Sequence, residues 1–515
     1  MAAPTIPNGE EHFFSVIYSG NGQGQRVGNF LPFTDNGTIA KSCIFNRADS
    51  ATMSRTLETA TNGKIWTFST WWKRGNLDSD ATKFLGYSAN NGGGYIGITS
   101  GQFYVTDLTY SGGWSTTLSV VSNRTLEDTS KWYHLMVVVD TTNGTTNDRV
   151  KIYIDGDRVT SLNTNTQPSL DLVPNWNGGS GTLYIGRRGY DTTNLLDGYM
   201  AETNFVDGTA LTPSTFGVTD TSTGRWIPKA LTGITYGNSG WRLTYADSSN
   251  FGDDTSGNTN DFTATNLTAS DQRTDTPTNN LPTMRPYNPS YNTTQAQGNL
   301  QYTPTGTNAG YPMCSTLRPN SGKWYAEVRT STNGGGNVIT MGIYIQEDMT
   351  AWDNSANFYP GGQLSNGDGC GAGLWVSTGT NYLVSSTLGA QVVTSNPTYS
   401  LAAGDVFGIA VDVDNSLVSF YGNNGSLIGS TSILRPGRIM FTAMAVTSSD
   451  TWNWNFGDNG TFDGNETAGG NADGDGNGNF YHSVPTGFKM LRQDNMPTTA
   501  KGVSGLVWTK NRDAT

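Results

Sequence analysis

No stretch of this chain sustains an apolar repeat of 3.6 residues. Short segments instead either alternate apolar with polar or run apolar for a few residues, and glycine- and asparagine-rich turns separate them. KIWTFSTWWK (64–73), KFLGYS, GGYIGITS, GQFYVTDL, WSTTLSVV, WYHLMVVVD (132–140), VKIYIDG (150–156) and TLYIGRR follow one another in this way. A helix cannot bury such a pattern on one face, so it predicts an all-β chain of antiparallel sandwich type. Within KIWTFSTWWK both alternating faces carry aromatic rings, as expected of a strand covered on both sides. Leu135 to Val139 is continuously apolar and reads as a central core strand. Val150, Ile152 and Ile154 alternate with Lys151 and Tyr153, and Asp155-Gly156 supplies a hairpin turn.

The chain has 515 residues, room for two large β domains and extra segments. Its 65 glycines and its low charged fraction, 14%, suit many short strands joined by polar turns. The formal charge of −12 disfavours non-specific binding to nucleic acid. Cys43, Cys314 and Cys370 are too few and too far apart for a disulfide framework or a zinc site. The N-terminal MAAPTIPNGEEHFF has neither the basic nor the apolar part of a signal peptide, and no apolar run is long enough to span a bilayer.

WYHLMVVVD, a polar loop and VKIYIDGDRV resemble the laminin-G-like and pentraxin-like concanavalin fold, in which Trp-x-His precedes an apolar strand and a Tyr-x-Asp-Gly hairpin follows it. TLYIGRRG (182–189), LDGYMAETNF (196–205) and WTFSTWWKRGN (66–76) match that family's later and earlier strands, so the resemblance covers about 41–215. SGKWYAEV (321–328) and GDVFGIAVDVDNSLVSFYGNNG (404–425) resemble the SPRY domain, with Tyr421-Gly-Asn-Asn-Gly replacing its usual aromatic-Lys-Asn-Gly ending. The expected fold is therefore two concanavalin-like antiparallel β-sandwiches (jelly rolls) with an extended N-terminal arm. The arm covers 1–40, the laminin-G-like sandwich 41–268, a Pro-, Thr- and Asn-rich linker 269–300, and the SPRY-like sandwich 301–495. Residues 496–515, with the apolar Leu506-Val-Trp508, read as the start of a further segment or as a tail packed on a partner.

Catalytic patterns are sparse. No Glu-x-Asp-x-x-Glu strand of the laminarinase type occurs, and a triad would have to use His12, His134 or His482 without a Gly-x-Ser-x-Gly elbow. His134, at the head of an apolar strand, is expected to be a hydrogen-bonded structural residue. The expectation is a binding protein, not an enzyme. Trp114 in TYSGGWSTT, Trp176 in VPNWNGG and Tyr359 in NFYPGGQ stand in glycine-rich contexts that read as loops. Each is a candidate stacking platform for a sugar, with a ring capping the core beneath its loop as the alternative. Asp458, Asp463, Asp473 and Asp475 in GDNGTFDGNETAGGNADGDGNGN (457–479) invite a calcium reading, but their spacing matches neither the EF-hand loop nor the nine-residue repeat of calcium-binding β-helices, and a solvated loop is favoured. No other cofactor is expected.

The pairing of the two units, with the GNGQGQRVG arm, RADSATMSRT and VWTKNR segments around them, resembles virion proteins of tailed bacteriophages, especially marine and cyanobacterial ones. That resemblance implies a protein made in the host cytoplasm and carried on the particle surface. It implies a tail fibre or receptor-binding component that meets host surface polysaccharide, is attached to other virion proteins by its N-terminal arm, and is a homo-oligomer, trimeric by analogy. A head fibre or capsid decoration protein and a polysaccharide depolymerase are the alternatives.

Overall fold

The computed structural model describes residues 37–496 apart from 76–80, 90–91, 179, 190–193, 222–223, 287–292, 305–312, 332–338, 347–359, 362–370, 377–380, 388–389 and 446–449. Most of the predicted arm, nearly all of the predicted tail and Tyr359 lie outside the described residues. Among the described residues there is no α-helix. The strands assemble into two sandwiches, as the alternation pattern requires.

In the first sandwich one sheet runs in the order Asp157–Arg158, Val150–Ile154, Trp132–Asp140, Ile65–Arg74, Gly198–Asp207, Ser42–Phe45, Gln272–Arg273. The aromatic strand Ile65–Arg74 is central, paired along its length with Trp132–Asp140 on one side and Gly198–Asp207 on the other. The facing sheet runs Leu162–Thr166, Trp114–Thr125, Gln102–Tyr110, Gly92–Thr99, Ala81–Ala89, Thr182–Ile185, Thr52–Thr56, Thr263–Thr265. Trp66, Phe68, Trp72, Val137 and Val139 meet Phe84, Ile96, Phe103, Val105 and Val120 between the two sheets. The Asp155-Gly156 turn forms as expected, with φ of 53° and 85°, the pair of positive values a two-residue hairpin needs. A side chain on Gly156 would also strike the Trp226 ring.

The second sandwich repeats the architecture. One sheet runs Met284–Pro286, Met313–Ser315, Ile439–Ala445, Ile339–Ile345, Ala372–Val376, Tyr382–Thr387, Ala390–Ser395. The other runs Thr293–Ala296, Gln301–Pro304, Trp452–Asn455, Lys323–Thr330, Val406–Asp412, Leu417–Tyr421, Leu427–Ser432. Its core is built from Trp324, Val328, Met341, Leu374, Ile409, Phe420, Phe441 and Trp454.

The segment 269–300 gives strands to both sandwiches: Gln272–Arg273 pairs with the first, Met284–Pro286 and Thr293–Ala296 with the second. Between these strands it buries polar groups, several of them tied to partners in the first sandwich. Lys73, 0% exposed, donates to Asp275 (2.6 Å), to the Asn280 side chain (2.8 Å) and to the Leu281 carbonyl (2.7 Å). The other Asp275 oxygen accepts from the Trp132 indole at 2.9 Å. Arg273 reaches across to Asp463 of the second unit at 2.7 Å, and Leu281 packs with Tyr325, Phe480 and Met490. Buried charges persist only when paired in this way. Proline, threonine and asparagine here supply rigid turns and side-chain donors rather than slack.

Candidate functional site: the aromatic rim of the first sandwich

The strands Gln102–Tyr110 and Trp114–Thr125 form a hairpin whose last register pair is Tyr110 opposite Trp114. Directly paired residues project from the same face of the ribbon. Ser111-Gly112-Gly113 closes the loop, with Gly112 at φ +72° and the Ser111 N–H donating to the Gly113 carbonyl at 3.1 Å. The positive φ is the reason for glycine at this tip. Nothing lies within 4 Å of where a side chain on Gly112 or Gly113 would stand. The hairpin tip is thus open, and Tyr110 is 44% and Trp114 51% exposed. Their rings lie 5.2 Å apart, centroid to centroid, tilted by 58°.

The base of the hairpin is held by one buried carboxylate. Asp107 accepts from the Asn175 N–H (3.1 Å), the Asn175 side-chain amide (3.1 Å) and the Thr117 hydroxyl (2.6 Å). Asn175 also donates to the Leu108 carbonyl at 2.9 Å. Burial pushes the Asp107 carboxyl up to about 6, against these hydrogen bonds, which pull it down. The loop clipped there also carries Leu170 and Val173, 51% and 50% exposed.

Trp176 belongs to the same loop and meets the opposite fate. It is 0% exposed, its ring lies 6.2 Å from Trp66 and 6.4 Å from Tyr87, and a Cβ on Gly94 would stand 2.8 Å from it. The alternative reading of Trp176 therefore applies: it caps the core and offers no face to a ligand. Of the three aromatic candidates, the structure presents Trp114, buries Trp176 and leaves Tyr359 outside the described residues. Tyr110 is the residue that sequence reasoning passed over. Its signal was there, an aromatic flanking Ser-Gly-Gly across the turn from Trp114.

The acidic loop does not converge. Asp463 is tied to Arg273, and Asp473 accepts from the N–H groups of Asp475, Asn477 and Met490. Asp475 pairs with Lys489 at 2.7 Å. Asp458 is half-buried near Arg273, Asp275 and Lys73, and desolvation pushes it up to about 6. Among the described residues no three His, Cys, Asp or Glu side chains are gathered as metal ligands.

Two buried groups resemble catalytic ones. His134 Nε2 lies 2.9 Å from Ser69 Oγ, the spacing of a serine–histidine pair. However, the Trp226 indole N–H donates to His134 Nδ1 at 3.1 Å, which fixes the proton on Nε2. In that tautomer the ring donates to Ser69 and has no lone pair with which to take its proton. Burial also lowers the imidazole to about 4, with Asp155 opposing the shift, and both side chains are inaccessible. Glu327, raised to about 7 by burial, accepts from the Tyr481 and His482 N–H groups, Asn455 and the Tyr325 hydroxyl. It is 0% exposed and pins the 480–482 segment to the second sandwich, a structural task.

Residues 45–215 match a family model described as the Concanavalin A-like lectin/glucanases superfamily. Solved structures similar to the chain include the PSpry domain of TRIM65, at 14% identity over 34% of this chain and 89% of that one, with a TM-score of 0.27. They also include the heptameric SAP-like pentraxin from Limulus polyphemus, at 14% identity over 34% of this chain and 80% of that one, TM-score 0.24. Domains LG4-5 of the mouse laminin alpha1 chain match at 10% identity over 82% of this chain and 83% of that one, TM-score 0.26. At these scores the structures carry no argument about what this chain binds. No curated protein matches it. The matched segment, the sheet order and the strand register together give the first sandwich a concanavalin-like, laminin-G-type lectin fold.

Proposed function

We propose that this chain is a non-enzymatic adhesion protein that holds glycans at the Tyr110–Trp114 rim. The observation that carries the reading is the pair of half-exposed rings at the tip of a hairpin that Asp107 ties to the neighbouring loop. Rigid aromatic faces beside polar groups are how proteins hold sugars. The inert Ser69–His134 pair and the sealed Glu327 favour binding over hydrolysis. The resemblance of the flanking segments to tailed-phage proteins supports a place on the virion, as a tail fibre or receptor-binding component contacting host surface polysaccharide. The N-terminal arm would then attach it to other virion proteins in a homo-oligomer, trimeric by analogy. Immunogold electron microscopy of intact particles with an antibody to the second sandwich tests this placement. Gold at the tail supports adhesion. Gold over the head favours the head-fibre or decoration reading. New reducing ends released from host polysaccharide by the purified chain would make it a depolymerase.

A further inference from the structure

We infer that the Tyr110–Trp114 rim selects uncharged glycans and rejects sulfated or carboxylated ones. This inference rests on the binding reading above and narrows it to a ligand class.

The first ground is local charge. From Leu108 to Leu118 the hairpin carries no charged residue, and along its two strands the one basic side chain is Arg124, at the far end from the tip. Arg124 already lies 3.7 Å from Asp155. On the neighbouring loop Asp171 is matched by Lys64 at 2.9 Å. Asp107, the nearest carboxylate, is 1% exposed and engaged by Thr117 and Asn175. Anionic sugars are held by arginine forks or lysine point charges, and the hairpin tip has neither.

The second ground is the functional-group inventory at the tip. Ser111, Ser115 and Thr116 are exposed beside the rings, and the space around Gly112 and Gly113 is open. Hydroxyls both donate and accept, which matches the hydroxyls of a neutral sugar. The third ground is global. The chain carries a formal charge of −12, so a polyanion approaching a hairpin tip that has no cation of its own meets net repulsion over about a Debye length, roughly 10 Å at 0.1 M salt.

Affinity electrophoresis of the full chain tests the inference, in native gels containing dextran, laminarin, heparin or alginate. Wild type, Trp114→Ala and Tyr110→Ala are run side by side. The expected result is retardation by a neutral glucan, unchanged between 50 and 300 mM salt and reduced at least tenfold by either substitution. Both side chains are exposed, so matching thermal melts will show that the variants are folded. Retardation confined to heparin or alginate and lost at high salt would overturn the ligand class while leaving a binding protein. Neutral-glucan retardation that survives both substitutions would overturn the site. No retardation in any gel would count against the binding reading itself.

Discussion

Trp114 and Trp176 stand in similar surroundings in the sequence, SGGWST and PNWNGG, and lie at the same rim of the first sandwich, yet one is half exposed and the other fully buried. The difference lies in what each loop lies upon. The Trp176 loop folds back over the sheet edge, and the glycine at position 94 leaves the floor open for an indole. The Trp114 turn ends a hairpin at an open glycine tip, and its two rings are left half exposed. Glycine around a tryptophan therefore signals room for the ring, and the register of distant strands decides whether core or solvent fills it.

The largest expected effect breaks this comparison at its buried end. Trp176→Ala should cost about 5 kcal/mol, the upper end for a sealed indole that leaves a cavity against Trp66 and Tyr87, read by urea unfolding. Lys73→Ala asks whether the polar interior behaves like the apolar one. It leaves Asp275 buried without its cation, and a loss of about 4 kcal/mol is expected from the same measurement. A loss under 1 kcal/mol would mean that water reaches Asp275.

His134 comes next, through pH. Its folded imidazole sits at about 4, below the ordinary 6.5, so between these values the unfolded chain binds the extra proton. Its contribution is complete above pH 6.5 and lost as pH falls toward 4, about 3 kcal/mol in all. Asp107, Asp458 and Glu327 have raised values and act in the opposite direction, gaining stability as pH falls. The test is therefore the difference in unfolding free energy between wild type and His134→Gln across pH 4–7. A flat difference would mean that the imidazole takes up its proton in the folded chain as it does in the unfolded one.

Much of the scaffold was legible in the sequence because it rests on local pattern. The alternation in VKIYI, the apolar run Leu135–Val139 and the Asp155-Gly156 turn each appear where the chain's own periodicity puts them. The two-faced aromatics of Ile65–Arg74 foretold its central place. Burial of Trp176, the tautomer of His134 and the clamp on Lys73 were not legible, because each depends on a partner far along the chain: Trp66, Trp226 and Asp275. The polar composition of 269–300 looked like a linker for the same reason. Asparagine and threonine suit a solvated loop and a buried hydrogen-bonded joint equally well.

The smallest stability effect falls on the residue expected to matter most for function. Trp114→Ala should change unfolding free energy by less than about 0.5 kcal/mol, since the ring is 51% exposed. The most direct measurement is therefore the binding of the Trp114→Ala chain, beside wild type, to intact cells of the proposed bacterial host by flow cytometry. The account predicts at least a tenfold loss of cell binding with an unchanged melting temperature. Undiminished binding by the folded variant would contradict the claim that this rim is the recognition site.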